Sequence, residues 1–276
     1  MKVCGASAGS LTSALLLTNV DFDHAADCAI RLAHEFGVYE RKNPFVFWGP
    51  ILRNWLEEIL PDEDVHYHLP HLEIAITPAS PFKPPELISG FHCKEELIEA
   101  CMASCHVPLF LDGKAFTHYR GEAYLDGSFW YFVTKDRFTG LPLPPNLPSK
   151  DIFWVDYCDD EEFMAKISGN ILETITPVTM REMMQDGYNF MQRKHAMGRI
   201  PEQLFLPNSQ TTIEGILFSG EEEQKMNEEV EEELMLKQGG GLVGGKAFLF
   251  QYISDSLKKI PLKLPSRGRA SSIATL

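Results

Sequence analysis

Gly5-Ala6-Ser7-Ala8-Gly9 stands almost at the amino terminus and runs into Ser10-Leu11-Thr12-Ser13-Ala14-Leu15-Leu16-Leu17. A serine placed one residue from a glycine on either side suits a sharp strand-to-helix turn. There the backbone takes strained dihedrals and other segments approach closely. Such a turn holds a hydroxyl open at a helix start, where a base can reach it. The residues that follow are small and apolar, as a buried helix beneath the turn requires. The stretch available as the preceding strand is Met1-Lys2-Val3-Cys4. A run of small residues is also compatible with an ordinary turn, so the rest of the chain has to decide between the two.

The chain has 276 residues, enough for one large domain or a domain with an appendage. With 44% hydrophobic and 23% charged residues its composition is that of a soluble globular protein. A net charge of −14 argues against general nucleic-acid binding and against attraction to anionic membranes by charge alone. Residues 221–233 carry eight glutamates and one lysine, whereas Lys258, Lys259, Lys263, Arg267 and Arg269 make the tail basic. Both read as solvated segments. The six cysteines show no disulfide-framework spacing, no secretory leader is read, and no apolar run approaches a membrane span. The expectation is a cytoplasmic protein with reduced thiols and at most peripheral membrane contact.

Leu11 to Thr18 reads as a first helix. Asp23 is a candidate cap for a second, with Ala26, Ile30, Ala33 and Phe36 near helical spacing. Phe47, Ile51, Leu52, Trp55, Leu56 and Ile59 form an amphipathic stripe ended by Pro61. Leu72 to Thr77 alternates as a strand does and stops at Pro78, and the run Pro78 to Pro85 is a loop. Lys94 to Ser104 is helical, closed by Pro108. Glu122 to Leu125 reads as a short strand ending in the turn Asp126-Gly127-Ser128. Leu141 to Pro148 is too rich in proline for regular structure. Ile152 to Tyr157 reads as a strand, and Thr179 with Glu182 as a capping box for a helix running past Met191. Beyond Asn208 come the acidic stretch, a glycine cluster and an apolar patch around Phe248 to Tyr252. Alternating strands and helices predict an α/β fold with a mainly parallel sheet.

A serine nucleophile needs a base and a site for the developing oxyanion. Asp126, at a strand end and followed by a glycine, is the best partner, although Asp-Gly is also a common plain turn. Taken together, Gly5 to Leu11, then Ala103-Ser104-Cys105-His106-Val107-Pro108, then Arg120-Gly121-Glu122-Ala123-Tyr124-Leu125-Asp126-Gly127 resemble the patatin-like phospholipase family in order and spacing. The adiponutrin and adipose triglyceride lipase branch is the most similar. The segment from Ile175 to Gln192, with Gly187-Tyr188, resembles the helix that closes this domain. The resemblance covers residues 1–207 and leaves 208–276 as a C-terminal extension.

The resemblance implies a three-layer sandwich, with a mainly parallel sheet flanked by helices. It implies a lipid acyl hydrolase with a Ser–Asp dyad: Ser7 as nucleophile, Asp126 as proton acceptor, and the Ala8 amide as a partial oxyanion donor. Gly5, Gly9 and Gly127 complete the motifs. The implied partner is a phospholipid or triacylglycerol at a membrane or lipid-droplet surface, and no cofactor is implied. The family places a glycine-rich oxyanion loop upstream of the nucleophile, so the fold is expected to be N-terminally truncated. The alternative is therefore a catalytically impaired relative with a binding or regulatory role. The family's aspartate motif usually continues with glycine or alanine, where this chain has Ser128.

Other candidates are weaker. His66, His68 and His71 lie close together without a completing ligand spacing. Cys101, Cys105 and His106 fit a buried helix face, and Met180, Met183, Met184 and Met191 fit core packing. A Ser–Asp–His triad in the α/β-hydrolase order would require His195, but that fold places several strands before its nucleophile.

Overall fold

A computed structural model describes residues 2–38, 47–80, 82–134, 136, 140–142, 152–167 and 177–200. The chain divides into two compact units. Described residues up to 142 belong to the first, and those from 152 onward to the second.

The first unit begins with β1 (Val3–Ala6) and α1 (Ala8–Leu17), followed by α2 (Phe22–Glu35) and α3 (Trp48–Ile59). A 3-10 turn at Asp64–Tyr67 leads into β2 (Leu72–Pro78) and β3 (Glu86–Ile88). Then come α4 (Lys94–Ser104), β4 (Thr117–Tyr119), β5 (Glu122–Leu125) and α5 (Phe129–Thr134). The strands form one sheet in the order β1-β2-β5-β4, with β3 also paired to β2. The expected α/β class is present, and the sheet is mixed. β1 and β2 run parallel, joined through three helices, whereas β3, β5 and β4 are added antiparallel.

β2 is the axis of this unit. The alternation of Leu72 to Thr77 predicts a strand; it is present, and all seven residues of β2 are buried. The reason is its central place, with partners on both edges and helices packed over it. Leu72, Ile74 and Ile76 are wholly enclosed, each contributing about 1.5–3 kcal/mol through burial. Glu73 tolerates this position because its carboxylate meets the Lys2 ammonium and the Cys4 thiol from β1, the strand directly alongside.

The small residues of α1 let it lie close on β1 and β2, with Ser10, Ser13, Ala14 and Leu15 buried. α4 packs on β2, β4 and β5 and buries Leu97, Ile98, Ala100, Cys101 and Ala103. The stripe on α3 is core packing: Ile51, Leu56 and Ile59 are buried, and the Trp55 indole N–H donates to the Ala25 carbonyl at 2.7 Å. α2 and α3 share a smaller apolar cluster of Leu32, Ala33, Val38 and Ile51.

Three local expectations are corrected. The cap of α2 is Asp21, whose carboxylate accepts the His24 N–H at 2.7 Å, and Asp23 lies inside the first turn. An aspartate at the cap outcompetes one two residues later, because only the former faces the free amides. In the second unit, Ile152 to Asp156 form no strand, and Tyr157–Asp159 is a 3-10 turn capped by the Asp156 carboxylate on the Cys158 N–H. That local bond competes with sheet pairing. The unit continues with α6 (Glu161–Ile167) and α7 (Pro177–Ala196). α7 starts at Pro177, a residue favoured at the first helical position, so Thr179 and Glu182 sit within the helix rather than at its cap. It does run past Met191 as expected. The expected acidic stretch, glycine cluster and apolar patch beyond residue 208, and most of the Leu141 to Pro148 loop, lie outside the described residues.

Candidate active site

Strand register brings Ser7 and Asp126 together. Ala6, the last residue of β1, is opposite Ala75, so Ser7 leaves the sheet at the level of Ile76. Leu125, the last residue of β5, is opposite Thr77 and runs the other way, so Asp126 leaves at that same level. The Ser7 hydroxyl donates to Asp126 Oδ2 at 2.7 Å. The two residues are 119 positions apart in sequence.

Ser7 is the hinge of the β1–α1 turn, with φ 53° and ψ −126°. Positive φ at a residue with a side chain costs roughly 1–3 kcal/mol and persists only where surroundings over-determine it. Three hydrogen bonds do so here. The Ser7 N–H donates to Ser104 Oγ at 2.9 Å, and the Ser7 carbonyl accepts from Ser10 through its N–H at 2.8 Å and its hydroxyl at 2.7 Å. Ser104, wholly buried at the end of α4, donates its own hydroxyl proton to the Ala75 carbonyl at 2.7 Å. One side chain thus ties the Ser7 turn to the central strand.

The glycines flanking the two turns are not equivalent. A Cβ on Gly5 would run into the Gly9 carbonyl and Ser10, and one on Gly127 into the Ala75 carbonyl and the Ser104 hydroxyl. At Gly9 a Cβ would meet nothing within 4 Å. Gly5 and Gly127 therefore permit close backbone approach, while Gly9 lies exposed on the first turn of α1.

Asp126 is held in a different way. Its N–H donates to the His106 carbonyl at 2.9 Å, and the Gly127 N–H donates to the Ser104 carbonyl at 2.8 Å. The residue as a whole is 4% exposed. Oδ1 accepts the Ser128 N–H at 2.8 Å and the Ser128 hydroxyl at 2.6 Å, while Oδ2 accepts Ser7. Burial pushes its pKa up from the ordinary carboxylate value, and the hydrogen bonds from Ser128 and Ser7 pull in the opposite direction. A raised carboxylate pKa brings the group closer to the range useful for a general base.

The remaining candidates fall into place around this pair. Ala8 is the first residue of α1, so its N–H is among the amides that an α-helix leaves without an internal partner. Cys101, Cys105 and His106 are buried as expected, but only Cys101 lies on the helix face, since α4 ends at Ser104. Burial raises the Cys101 thiol to about 12 and lowers the His106 pKa. The His106 ring nitrogen Nε2 lies 3.3 Å from the Lys114 carbonyl. His66 lies in the 3-10 turn with Glu63 3.7 Å away. Among the described residues no three His, Cys, Asp or Glu side chains gather as a metal site. His195 lies in the last turn of α7, in the second unit. Sequence reading passed over the roles of Ser10, Ser104 and Ser128. The signal for Ser104 was present in the Ala103–Pro108 segment, but a hydroxyl bonding to backbone leaves no spacing signature of its own.

The sequence model of the family described as patatin-like phospholipase matches residues 2–133, which span all of these site residues. An omega-hydroxyceramide transacylase of Homo sapiens is 31% identical over 137 residues, 46% of this chain and 24% of that protein. A 1-acylglycerol-3-phosphate O-acyltransferase of Mus musculus is 37% identical over 86 residues, 31% of this chain and 20% of its own length. Patatin-like phospholipase domain-containing protein 2 of Homo sapiens is 27% identical over 232 residues, 74% of this chain and 44% of that protein. The chain thus spans less than half the length of each of these three relatives. Residues 2–133 thus match the patatin-like phospholipase family as a domain.

Proposed function

We propose that this chain is a serine acyl hydrolase acting on fatty acyl esters of phospholipid or triacylglycerol. The observation that carries the reading is the 2.7 Å hydrogen bond from a positive-φ Ser7 to a buried Asp126. As Ser7 Oγ attacks the ester carbonyl, its proton passes to Asp126 Oδ2. The carbonyl oxygen becomes an oxyanion that the Ala8 N–H stabilises at the start of α1. Collapse expels the alcohol, which takes the proton back from Asp126, and leaves an acyl-serine. Water then attacks the acyl carbon, giving its proton to Asp126. The second collapse releases the fatty acid and restores the Ser7 hydroxyl.

The same acyl-serine can pass its acyl group to an alcohol in place of water. Two of the relatives carry transacylase or acyltransferase names, so the acceptor belongs in the test. Residues 1–207 carry the chemistry in this reading and 208–276 form an extension, with the action at a membrane or lipid-droplet surface on the cytoplasmic side. Among the described residues no helix is long and apolar enough to cross a membrane.

The test is covalent labelling by a fluorophosphonate probe, alongside fatty acid release from acyl-labelled phospholipid and triacylglycerol, with and without an added alcohol acceptor. Labelling and release are expected from the unaltered chain. Ser7→Ala abolishes both, and Asp126→Asn reduces them by at least about 10²-fold, the lower range for losing a general base. Absence of labelling in the folded, unaltered chain would establish the catalytically impaired alternative. Acyl appearing on the alcohol with no free fatty acid would replace water as acceptor.

A further inference from the structure

The two oxygens of the Asp126 carboxylate are partitioned. Oδ2 faces the Ser7 hydroxyl at 2.7 Å. Oδ1 is occupied twice by Ser128, through its N–H at 2.8 Å and its hydroxyl at 2.6 Å. The backbone of the same turn is anchored separately, by Asp126 N–H on the His106 carbonyl and Gly127 N–H on the Ser104 carbonyl. The turn therefore has its own supports, and the Ser128 hydroxyl is an additional bond made only to the carboxylate. We propose that Ser128 is a positioning residue. Its hydroxyl grips Oδ1, turns Oδ2 toward Ser7, and keeps the buried carboxylate ionised. This rests on the reading of Ser7 and Asp126 as nucleophile and base.

The bond has the chemistry for that role. A hydroxyl donating to an ionised carboxylate is a charge-assisted hydrogen bond, stronger than one between neutral groups. Against a group that is 4% exposed, water offers little compensation when the bond is removed. The titratable groups facing Asp126 come from the segment just after α4. His106 interacts with it electrostatically, and Cys105 has its thiol pushed well above the ordinary range by burial and by the Asp126 charge. The β1–α1 turn contributes only the neutral Ser7 hydroxyl to that neighbourhood among the described residues. His106 and Cys105 are the same in the unaltered chain and in a Ser128 variant, so a difference between their pH profiles reports the hydroxyl itself.

The experiment is the pH profile of the fluorophosphonate labelling rate on the full chain, for the unaltered protein, Ser128→Ala, Ser128→Gly and Ser128→Thr. Alanine and glycine keep the N–H donor and lose the hydroxyl. Their acid limb is expected to move up by about one pH unit, so that labelling below the limb falls about tenfold. Threonine restores the donor and returns the limb to within about 0.3 unit of the original. Two independent deletions keep the test open should one fail to fold. Acid limbs that superimpose for all four proteins overturn the proposal. So does a lower plateau with an unmoved limb, the signature of a merely structural side chain. Failure of the underlying reading is seen separately: Ser7→Ala would still label, or Asp126→Asn would label at the unaltered rate, and the proposal would fall with it.

Discussion

Ser104 shows how much one buried hydroxyl can organise. It accepts the Ser7 N–H and donates to the Ala75 carbonyl, while its carbonyl takes the Gly127 N–H. Replacing it by alanine removes no apolar contact of consequence but leaves one half-buried donor and one buried acceptor without their partner. Each such loss costs about 1–3 kcal/mol. Ser104→Ala is expected to lower stability by about 2–4 kcal/mol in a denaturant titration and to slow fluorophosphonate labelling, because the positive φ of Ser7 loses one of its three restraints. Unchanged stability together with unchanged labelling would show that the turn is held by Ser10 alone.

At the level of elements, the turns that carry Ser7 and Asp126 were readable because strand, glycine and acidic residue lie in short contiguous stretches. β1, α1, α4 and β5 follow from local pattern, and Ser7 and Asp126 are named by the turns that end two of them. What was not readable depended on long-range pairing. Full burial of β2 follows from neighbours on both of its edges, which no window of its own sequence contains. Ile152 to Asp156 has the apolar and aromatic content of a strand but forms none, because strand formation needs a partner as well as a propensity. The glycines make the same point. Gly5 and Gly9 look symmetric about Ser7 in the motif, yet only Gly5 is crowded by backbone. Gly5→Ala and Gly127→Ala are expected to destabilise by more than about 3 kcal/mol or to give insoluble protein, since rigid backbone would have to move. Gly9→Ala is expected to be neutral or to stabilise by up to about 1 kcal/mol, as alanine is the better helix former. Thermal melts and soluble yield of the three variants check the contrast.

For the molecule as a whole, Asp126 sets a limit on stability that the site imposes on the fold. Its folded pKa lies above that of the unfolded chain, because burial disfavours the charge. Between those two values the native state holds more protons than the unfolded state, so stability falls as pH rises through that window and stays lower above it. The cost is about 1.4 kcal/mol for each unit of the upward shift. Asp126→Asn carries no such cost. It is expected to be more stable than the unaltered chain at neutral pH, with the gap closing as pH falls toward the ordinary carboxylate range. Denaturant midpoints across a pH series measure this, and a gap that stays constant with pH would assign it to packing.

The separation of 119 residues between the paired side chains has a consequence for biosynthesis. Until β5 has docked on β2, the serine turn has no carboxylate beside it, and the chain emerging from a ribosome carries an inert hydroxyl. The Ser7–Asp126 bond is among the contacts of longest loop in this unit, and such contacts close late. On the proposed function, competence to attack an ester is thereby coupled to completed folding, and a nascent or misfolded copy is chemically silent toward acyl esters.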